Sequence, residues 1–491
     1  MLKLSRSLTM FSSCILLLLL KPIFCIRWEF VDQTPVSEGF DSLFTKEWFF
    51  VDKSEMIGTF FSQPKGSFSY ISCPHGFGKT QNLLMIKSFA NVELDEDTCK
   101  RKALTMSRNY HTFKRLKIFK RSSVIEEHMS KYSVVHLHLN ITFRNKPITA
   151  ENFLQEMREK IRNTVLNDLM WLVKLMDKVI AKQVNVTGVY EFHGSEYSFL
   201  KKSLEGLLDE REIKYCLLSF AEIYHNFFKK PVIVLIDDYD YVAHESLTTN
   251  TNPIMYYKFI NEMIEKVIPS DNNSIVSYGL LTGRTKIPLS IGGLDKKIIQ
   301  YRFLNMHRFV KYYGFYEDEV QEVYKRYNLS QKEIQRARVL YEGYSLSNGF
   351  VKIYNPYSIV QYLEHRKTSP DNFYWCYGEQ HMYISAFLKS SLFRQEVAIL
   401  CDYQPVRYDS LGFYVPNALD TLLALRNTKY AMIGDSHLHL LFSYAFENGL
   451  LCYTKERNSY IIPNTEVRAL LLIMNDLYQK NKSKSAKIQD T

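Results

Sequence analysis

The sequence predicts an α/β fold, a parallel sheet flanked by helices, and three observations predict it. Apolar runs of strand length alternate with helical patterns through much of the 491-residue chain. Those runs are bare hydrophobic stretches that do not alternate with polar residues, as strands covered on both faces require. Gly (19) and Pro (14) are scarce while Tyr (34) and Phe (32) are abundant, which favours long elements and few linkers. Hydrophobic residues at 46% and charged residues at 23% exclude a disordered, collagen-like or multi-span membrane chain. At about 150 residues per domain, roughly three folding units are expected.

The chain opens with Lys3 and Arg6, then an apolar run over residues 8–20 with five consecutive leucines, then Lys21, Pro22 and Cys25. A short basic region, about a dozen apolar residues and a small residue for cleavage describe a secretory signal peptide over residues 1–25. A bilayer span needs about 20 apolar residues, so a retained signal anchor is the second choice and no retained membrane span is expected. Cleavage leaves Ile26 first and six cysteines, Cys73, Cys99, Cys216, Cys376, Cys401 and Cys452, which an exported chain could pair. No CxxC spacing supports a zinc knuckle. Sequons at Asn140, Asn185, Asn272, Asn328 and Asn481 fit a secreted glycoprotein.

Residues 67–73 (SFSYISC) form the first strand, followed by a loop and a helical pattern over residues 80–91. Residues 132–143 read as a second strand containing Asn140. His136 and His138 share one face of it and could bind a metal, but no third ligand is in view, so they read as structural or solvent-facing histidines. A long helix covers about 151–182, a second covers 212–230 and leads into the apolar run 231–237, and a fourth strand covers 274–282. One E-x-K, Glu212 to Lys214, sits on that second helix and reads as a surface charge pair. From about residue 310 the pattern is mainly helical, with a hairpin within 449–464 and a frayed, low-complexity tail over 479–491.

The net charge is +10, from 62 basic and 52 acidic residues, and no basic block reaches nucleic-acid-binding density. The Tyr-rich run 311–316 (KYYGFY) could stack on bases, but without a basic groove it reads as core and lid packing.

The informative segment is CPHGFGKT, Cys73 to Thr80. A loop between a buried strand and a helix start presents unsatisfied N–H groups and the positive end of the helix dipole, which suits a triphosphate. Gly76 and Gly78 permit close backbone approach, Lys79 can reach the β- and γ-phosphates, and the Thr80 hydroxyl can ligate Mg²⁺. Cys73 stands where the usual Walker A pattern has glycine, so this fragment alone is a weak match, and a turn that happens to end in Lys-Thr stays open. A cysteine in an exported loop also invites oxidation or pairing.

A second motif, PVIVLIDDYD (residues 231–240), is an apolar strand ending in two carboxylates, as in Walker B. Such a strand is expected beside the phosphate-loop strand. Asp237 would then hold Mg²⁺ and Asp238 would polarise the attacking water. Asp pairs at strand ends also occur as helix caps and loop acids. Thr282, in LLTGR (residues 280–284), is placed to contact the γ-phosphate or the water. Arg284 reads as a surface arginine, with charge stabilisation as the other reading.

In this order these residues resemble the AAA-ATPase-like family of P-loop proteins. FVDKSEMI (50–57) resembles its entry motif, CPHGFGKT its R-P-R-R-F-G-K-S, VLIDDYD its V-L-I-D-E-Y-D, and LLTGR its L-T-G segment. YYGFYEDEV (312–320), YEGYSL (341–346), YNPYSIVQYL (354–363) and IIPNTEVR (461–468) resemble later family motifs, so the likeness runs over about residues 45–470. The resemblance implies a P-loop NTPase of the ASCE type, with phosphate contacts from Gly76, Phe77, Gly78, Lys79 and Thr80. It implies Mg²⁺ with ATP at Thr80 and Asp237 and water activation at Asp238; with the roles read above, the expected catalytic residues are Lys79, Asp238 and Thr282. It also implies a core over 26–310, a helical lid region over 311–365 and a winged-helix-like segment over 366–478. The nuclease-like domain that often follows in the family is not expected, because the chain stops soon after residue 468.

Two departures bear on activity. The loop's usual Arg-Arg is His75-Gly76, and the usual catalytic Glu is Asp238, one methylene shorter. A base must come within about 3 Å of its water, so the shorter arm can lower turnover by orders of magnitude while leaving binding intact. The expectation is a secreted Mg-ATP-binding protein with weak or lost hydrolysis. The alternative is a non-enzymatic exported glycoprotein using the fold as an effector-like scaffold for an unknown protein partner. A nucleic-acid-remodelling ATPase kept inside the cell, its N-terminal segment uncleaved, is the third reading.

Overall fold

In the computed structural model, strands β1 (Ser67–Ser72), β2 (Ser133–His138), β3 (Val232–Asp237), β4 (Val276–Gly283) and β5 (Ile299–Tyr301) form one parallel sheet, in the order β2-β3-β4-β1-β5. The structure describes residues 40, 50–95, 101–143, 149–180, 194–249, 251–269, 275–286, 293–377, 387–388, 390–408, 418–427 and 435–489. The expected signal peptide, Asn185, Asn272 and Cys99 lie outside them.

The four strands read from the bare apolar runs are present, and every residue of β3 is buried. Burial on both faces follows from the helices. Lys79–Ala90 contacts β2, β3 and β4, while Glu210–Phe228 contacts β2 and β3. Two expectations are corrected. β3 does not lie beside β1, because β4 sits between them, paired with β1 from Ser67↔Tyr278 to Ser72↔Gly283 and with β3 along its other edge. β4 is buried at all but one position, and both its edges are saturated by partners. Asn140 is not inside a strand, since β2 ends at His138 and Asn140 is part-exposed. The fifth strand, β5, goes unread from sequence because it is three residues long and its Ile299 is exposed.

The long helix over 151–182 appears as Ala150–Thr164 and Met170–Ile180, joined by a π-helical turn, Val165–Leu169. That turn brings the buried Asp168 to Lys87, to which it is ion-paired. Glu212 and Lys214 do not pair with each other: Glu212 caps its own helix with Asp209 and bonds Lys202, while Lys214 pairs with Glu210 and Glu262. The cysteines Cys73, Cys216, Cys401 and Cys452 are buried free thiols, so the expected pairing does not occur among them.

Beyond residue 310 the chain is less helical than expected. β6 (Phe315–Tyr316), β7 (Glu342–Ser345) and β8 (Lys352–Tyr354) form an antiparallel sheet in the order β6-β8-β7, with helices Glu317–Arg326, Gln331–Tyr341 and Pro356–His365 around it. This region has its own apolar cluster, including Val320, Tyr324, Tyr341, Tyr354 and Tyr362. Tyr312 and Tyr313 are buried as core. The last part carries helices Ser391–Cys401, Ala418–Asn427 and Asp435–Glu447. Its expected hairpin is present as β10 (Cys452–Tyr453) and β11 (Ser459–Ile461), the latter also paired with β9 (Val406–Arg407). The tail differs from a frayed end. The helix Thr465–Gln489 starts on the buried Val467, Leu470 and Leu471 and continues through a Lys-rich polar stretch, lysine being a good helix former. Among the described residues no helix is long and apolar enough to cross a membrane.

Candidate functional site

β1 ends at Ser72, and the segment from Cys73 to Gly78 turns the chain into the helix Lys79–Ala90. Gly78 caps that helix in the left-handed region (φ 86°), and a Cβ built there would meet nothing within 4 Å, so the loop is open above it. Gly76 is also left-handed (φ 86°), but a Cβ there would come 2.6 Å from Asn355 Oδ1 and 2.8 Å from Tyr357 Cβ. Both positions therefore need glycine, one for backbone conformation alone and the other also for space. Phe77 turns inward between Phe303 (centroids 4.9 Å apart) and Tyr344 (5.1 Å), so only its backbone is left for a ligand.

Asn355, Tyr357 and Trp375 grip the back of this loop. Asn355 Nδ2 (3.3 Å) and Trp375 Nε1 (3.0 Å) donate to the His75 carbonyl, and the Tyr357 N–H donates to the Gly76 carbonyl at 3.1 Å. Asn355 is the N-cap of Pro356–His365, its Oδ1 accepting from the Tyr357 N–H at 2.9 Å. Trp375 is fixed in turn by Glu466, a buried carboxyl that accepts from the Trp375 N–H (2.8 Å) and the Ser358 hydroxyl (2.7 Å). Burial raises the Glu466 pKa to about 7.

The sequence-predicted site residues converge. Thr80 donates to Asp237 Oδ2 at 2.5 Å, and the Thr282 hydroxyl, at the end of β4, donates to Asp237 Oδ1. The Asp238 N–H also reaches Oδ1, at 3.0 Å. One fully buried carboxylate thus ties together the phosphate-loop helix, β3 and β4. Lys79 is buried, its ammonium donating to the Cys73 carbonyl at 2.9 Å and the Pro74 carbonyl at 3.0 Å.

Sequence reasoning missed His138. β2 and β3 are in register His138↔Asp237, and His138 Nε2 lies 2.9 Å from Asp238 Oδ2. Two ligands for His138, neither of them His136, come from the end of β3 and the residue after it: His138, Asp237 and Asp238 each offer a ligand atom, all within 4.8 Å of one another. His136 does not join that group. Only the i, i+2 spacing hinted at His138, because its partners lie about a hundred residues downstream.

The electrostatics divide the two acids. Burial pushes the Asp237 pKa up, and the neighbouring Asp238 charge adds to this, against the hydrogen bonds from Thr282 and Thr80. Burial also opposes ionisation of Asp238, but the His138 hydrogen bond and charge, with Lys79 and Arg284, outweigh it and hold its pKa well below the usual carboxylate range. His138 is desolvated, yet the Asp238 hydrogen bond and the two acids raise its pKa overall.

Arg284 is not a surface residue. It is 8% exposed, its guanidinium lies 5.7 Å from the Tyr241 ring centroid, and its charge acts on both Asp238 and Asp240. Asp240 explains the position: its Oδ2 accepts from the Arg284 N–H (2.9 Å), the Thr285 N–H (2.6 Å) and His244 Nε2 (3.0 Å). His244 Nδ1 meets the Tyr444 hydroxyl at 2.5 Å, so the strand end is wired to the helix Asp435–Glu447. Cys73 is also corrected. Its thiol is 1% exposed and burial drives its pKa up, so it is protected from the oxidation expected of a loop cysteine.

Thr80 and Asp237 present a hydroxyl and a carboxylate side by side where the loop enters its helix, and hard oxygen donors of this kind fit Mg²⁺.

A family model described as "Predicted AAA-ATPase" matches residues 36–290, just over half of the chain. The motifs noted beyond residue 290 lie outside that match. No curated protein matches. The chain is similar to the Aeropyrum pernix ORC2 protein solved as ADPNP-ADP complexes (10% identity, 88% of this chain and 93% of that one, TM-score 0.37). It is also similar to Cdc6p from Pyrobaculum aerophilum (8% identity, 90% and 98%, TM-score 0.28). A third likeness is to the Drosophila ORC bound to DNA (12% identity, 90% and 89%, TM-score 0.26). At such TM-scores these likenesses carry no weight, and the assignment stands on the family match.

Proposed function

The chain belongs to the AAA-ATPase-like family of P-loop proteins, and on that premise we propose that it binds Mg-ATP at the loop 73–80 and hydrolyses it weakly or not at all. The observation that carries the reading is the meeting of the Thr80 and Thr282 hydroxyls on the buried Asp237, with the glycine loop beside them. The backbone N–H groups of Gly76, Phe77, Gly78, Lys79 and Thr80 at the helix end receive the phosphates. Lys79 exchanges its two carbonyl partners for phosphate oxygens, while Thr80 and Asp237 hold the cation. Mg²⁺ would supply charge neutralisation at the β- and γ-oxygens. Thr282 keeps Asp237 oriented and faces the reacting end.

Weak hydrolysis is supported by Asp238. Its arm is one methylene shorter than glutamate, and its Oδ2 already faces His138 at 2.9 Å, so it is poorly disposed to orient a water. The test is thermal unfolding of the protein with ATP, with and without Mg²⁺. A stabilisation that Lys79→Ala removes supports the reading, and no shift at saturating ATP overturns it.

One observation favours the second reading, an exported scaffold without nucleotide. Lys79 is 7% exposed and already satisfied by two loop carbonyls, so the loop is self-consistent without a ligand. Secretion after loss of residues 1–25 belongs to both readings. N-terminal sequencing of the mature chain tests it, with Ile26 expected first. The exposed Asn328 is the sequon to examine for glycan by mass spectrometry.

A further inference from the structure

We propose that His138 Nε2 and the carboxylates of Asp237 and Asp238 form a binding site for a divalent transition cation of the Mn²⁺, Co²⁺ and Zn²⁺ class, which needs no nucleotide to be held. The inference rests on the reading that Asp237 is the cation-facing acid, and it changes which cation that site prefers.

The backbone assembles the donors. In a continuing strand, consecutive side chains point to opposite faces. Asp238 ends that alternation with φ 51°, in the left-handed region, and both carboxylates gather near the imidazole carried by the adjacent strand. The three ligand atoms lie within 4.8 Å of one another. A cation at about 2.0–2.2 Å from each ligand tolerates donor separations up to about 4.2 Å, so less than an ångström of closure is needed. Rotation of the part-exposed His138 and Asp238 side chains toward the fixed Asp237 carboxylate supplies that without moving either strand.

The ligand chemistry selects the cation. Mg²⁺ takes oxygen donors and keeps its waters, whereas a set with one imidazole and two carboxylates suits Mn²⁺, Co²⁺ or Zn²⁺. Asp237 is fully buried, and two acids beside one imidazole leave negative charge that a dication neutralises. The side chains of His138 and Asp238 are 15% and 19% exposed, which leaves an entry path. Outer contacts are in place: Thr80, Thr282 and the Asp238 N–H fix the orientation of the Asp237 carboxylate. Three protein ligands leave open positions for water or for a phosphate oxygen.

Co²⁺ is the probe, because its visible d–d absorption changes with coordination number and ligand field, and the His138 variants assign the nitrogen ligand. The full chain, free of nucleotide, is titrated with Co²⁺ by absorption and by equilibrium dialysis. The expected result is a single saturable site whose affinity falls about tenfold or more in His138→Ala. Zn²⁺ should displace the Co²⁺, and Mg²⁺ at the same concentration should not. His138→Gln preserves size and a polar contact to Asp238, and circular dichroism confirms folding of both variants. Unchanged Co²⁺ affinity in a folded His138 variant, or no saturable binding to the parent chain, overturns the proposal. Lys79→Ala separates this from the nucleotide reading: it should lose the ATP-induced thermal shift and keep the Co²⁺ spectrum. A His138-dependent spectrum with no ATP shift leaves the cation site standing and removes the nucleotide reading, and the reverse pattern removes the cation site alone.

Discussion

His138 Nε2 stands 2.9 Å from Asp238 Oδ2, bridging the ends of two neighbouring parallel strands exactly where the expected catalytic acid is found. The contact ties up the carboxylate oxygen that would otherwise face a water. An acid both short and engaged in this way is a poor base.

Restoring the longer arm should therefore raise turnover. Asp238→Glu is expected to increase steady-state Mg-ATP hydrolysis by about tenfold or more over the parent, since base efficiency depends on reach as well as on pKa. Phosphate release measures it. No gain in a variant that still binds ATP places the loss of activity elsewhere in the site.

Lys79→Ala should abolish the response to nucleotide. At ATP a hundredfold above its dissociation constant, the parent gains about 2.7 kcal/mol from ligand binding, and the variant should gain essentially nothing. Thermal unfolding over an ATP series gives both values.

Thr282→Val keeps the side-chain shape and removes the donor to Asp237 Oδ1. Taking one donor from a buried carboxylate costs about 1–3 kcal/mol. Urea denaturation without ligand should show that loss, with an unchanged m-value if the fold is retained.

Glu466 predicts a pH dependence. Burial raises its pKa to about 7 from an ordinary 4.5, so between these values the folded chain binds a proton that the unfolded chain has lost. Its contribution to stability is therefore complete below pH 4.5 and is lost as pH rises through about 7. The shift corresponds to about 3 kcal/mol. Glu466→Gln, which keeps an acceptor for the Trp375 N–H, should flatten that part of the stability–pH curve. A curve of unchanged shape in the variant counts against the assignment.

Gly76→Ala should loosen the grip of Asn355 and Tyr357 on the loop. The added Cβ would sit 2.6 Å from Asn355 Oδ1 at φ 86°, so both strain and contact oppose it. A loss of about 1–3 kcal/mol is expected. Faster hydrogen exchange at the Tyr357 N–H, which donates to the Gly76 carbonyl, reads the local effect.

The legible parts of this protein were those written in contiguous residues. Four strands announced themselves as short runs of strand-forming residues, and the phosphate loop and acid pair as short motifs at their ends. β5 escaped because three residues with an exposed isoleucine carry no such run. Arg284 was misjudged because its burial comes from Asp240, His244 and Tyr241, whose positions depend on the loop after β3 and the helix beyond it. Asn355 stood in the sequence only as part of the motif 354–363, and its hold on the His75 carbonyl, 280 residues away, was not legible there.

By itself the sequence singled out Lys79, Thr80, Asp237, Asp238 and Thr282 as candidates, because strand periodicity and loop composition are local properties of the chain. Only the tertiary structure decided the strand order that puts β4 between the loop and the acids, and the register that sets His138 against Asp238. Register and order are settled by which edges find hydrogen-bond partners and which faces find cover. Those are choices made by the whole sheet at once, and no single segment encodes them.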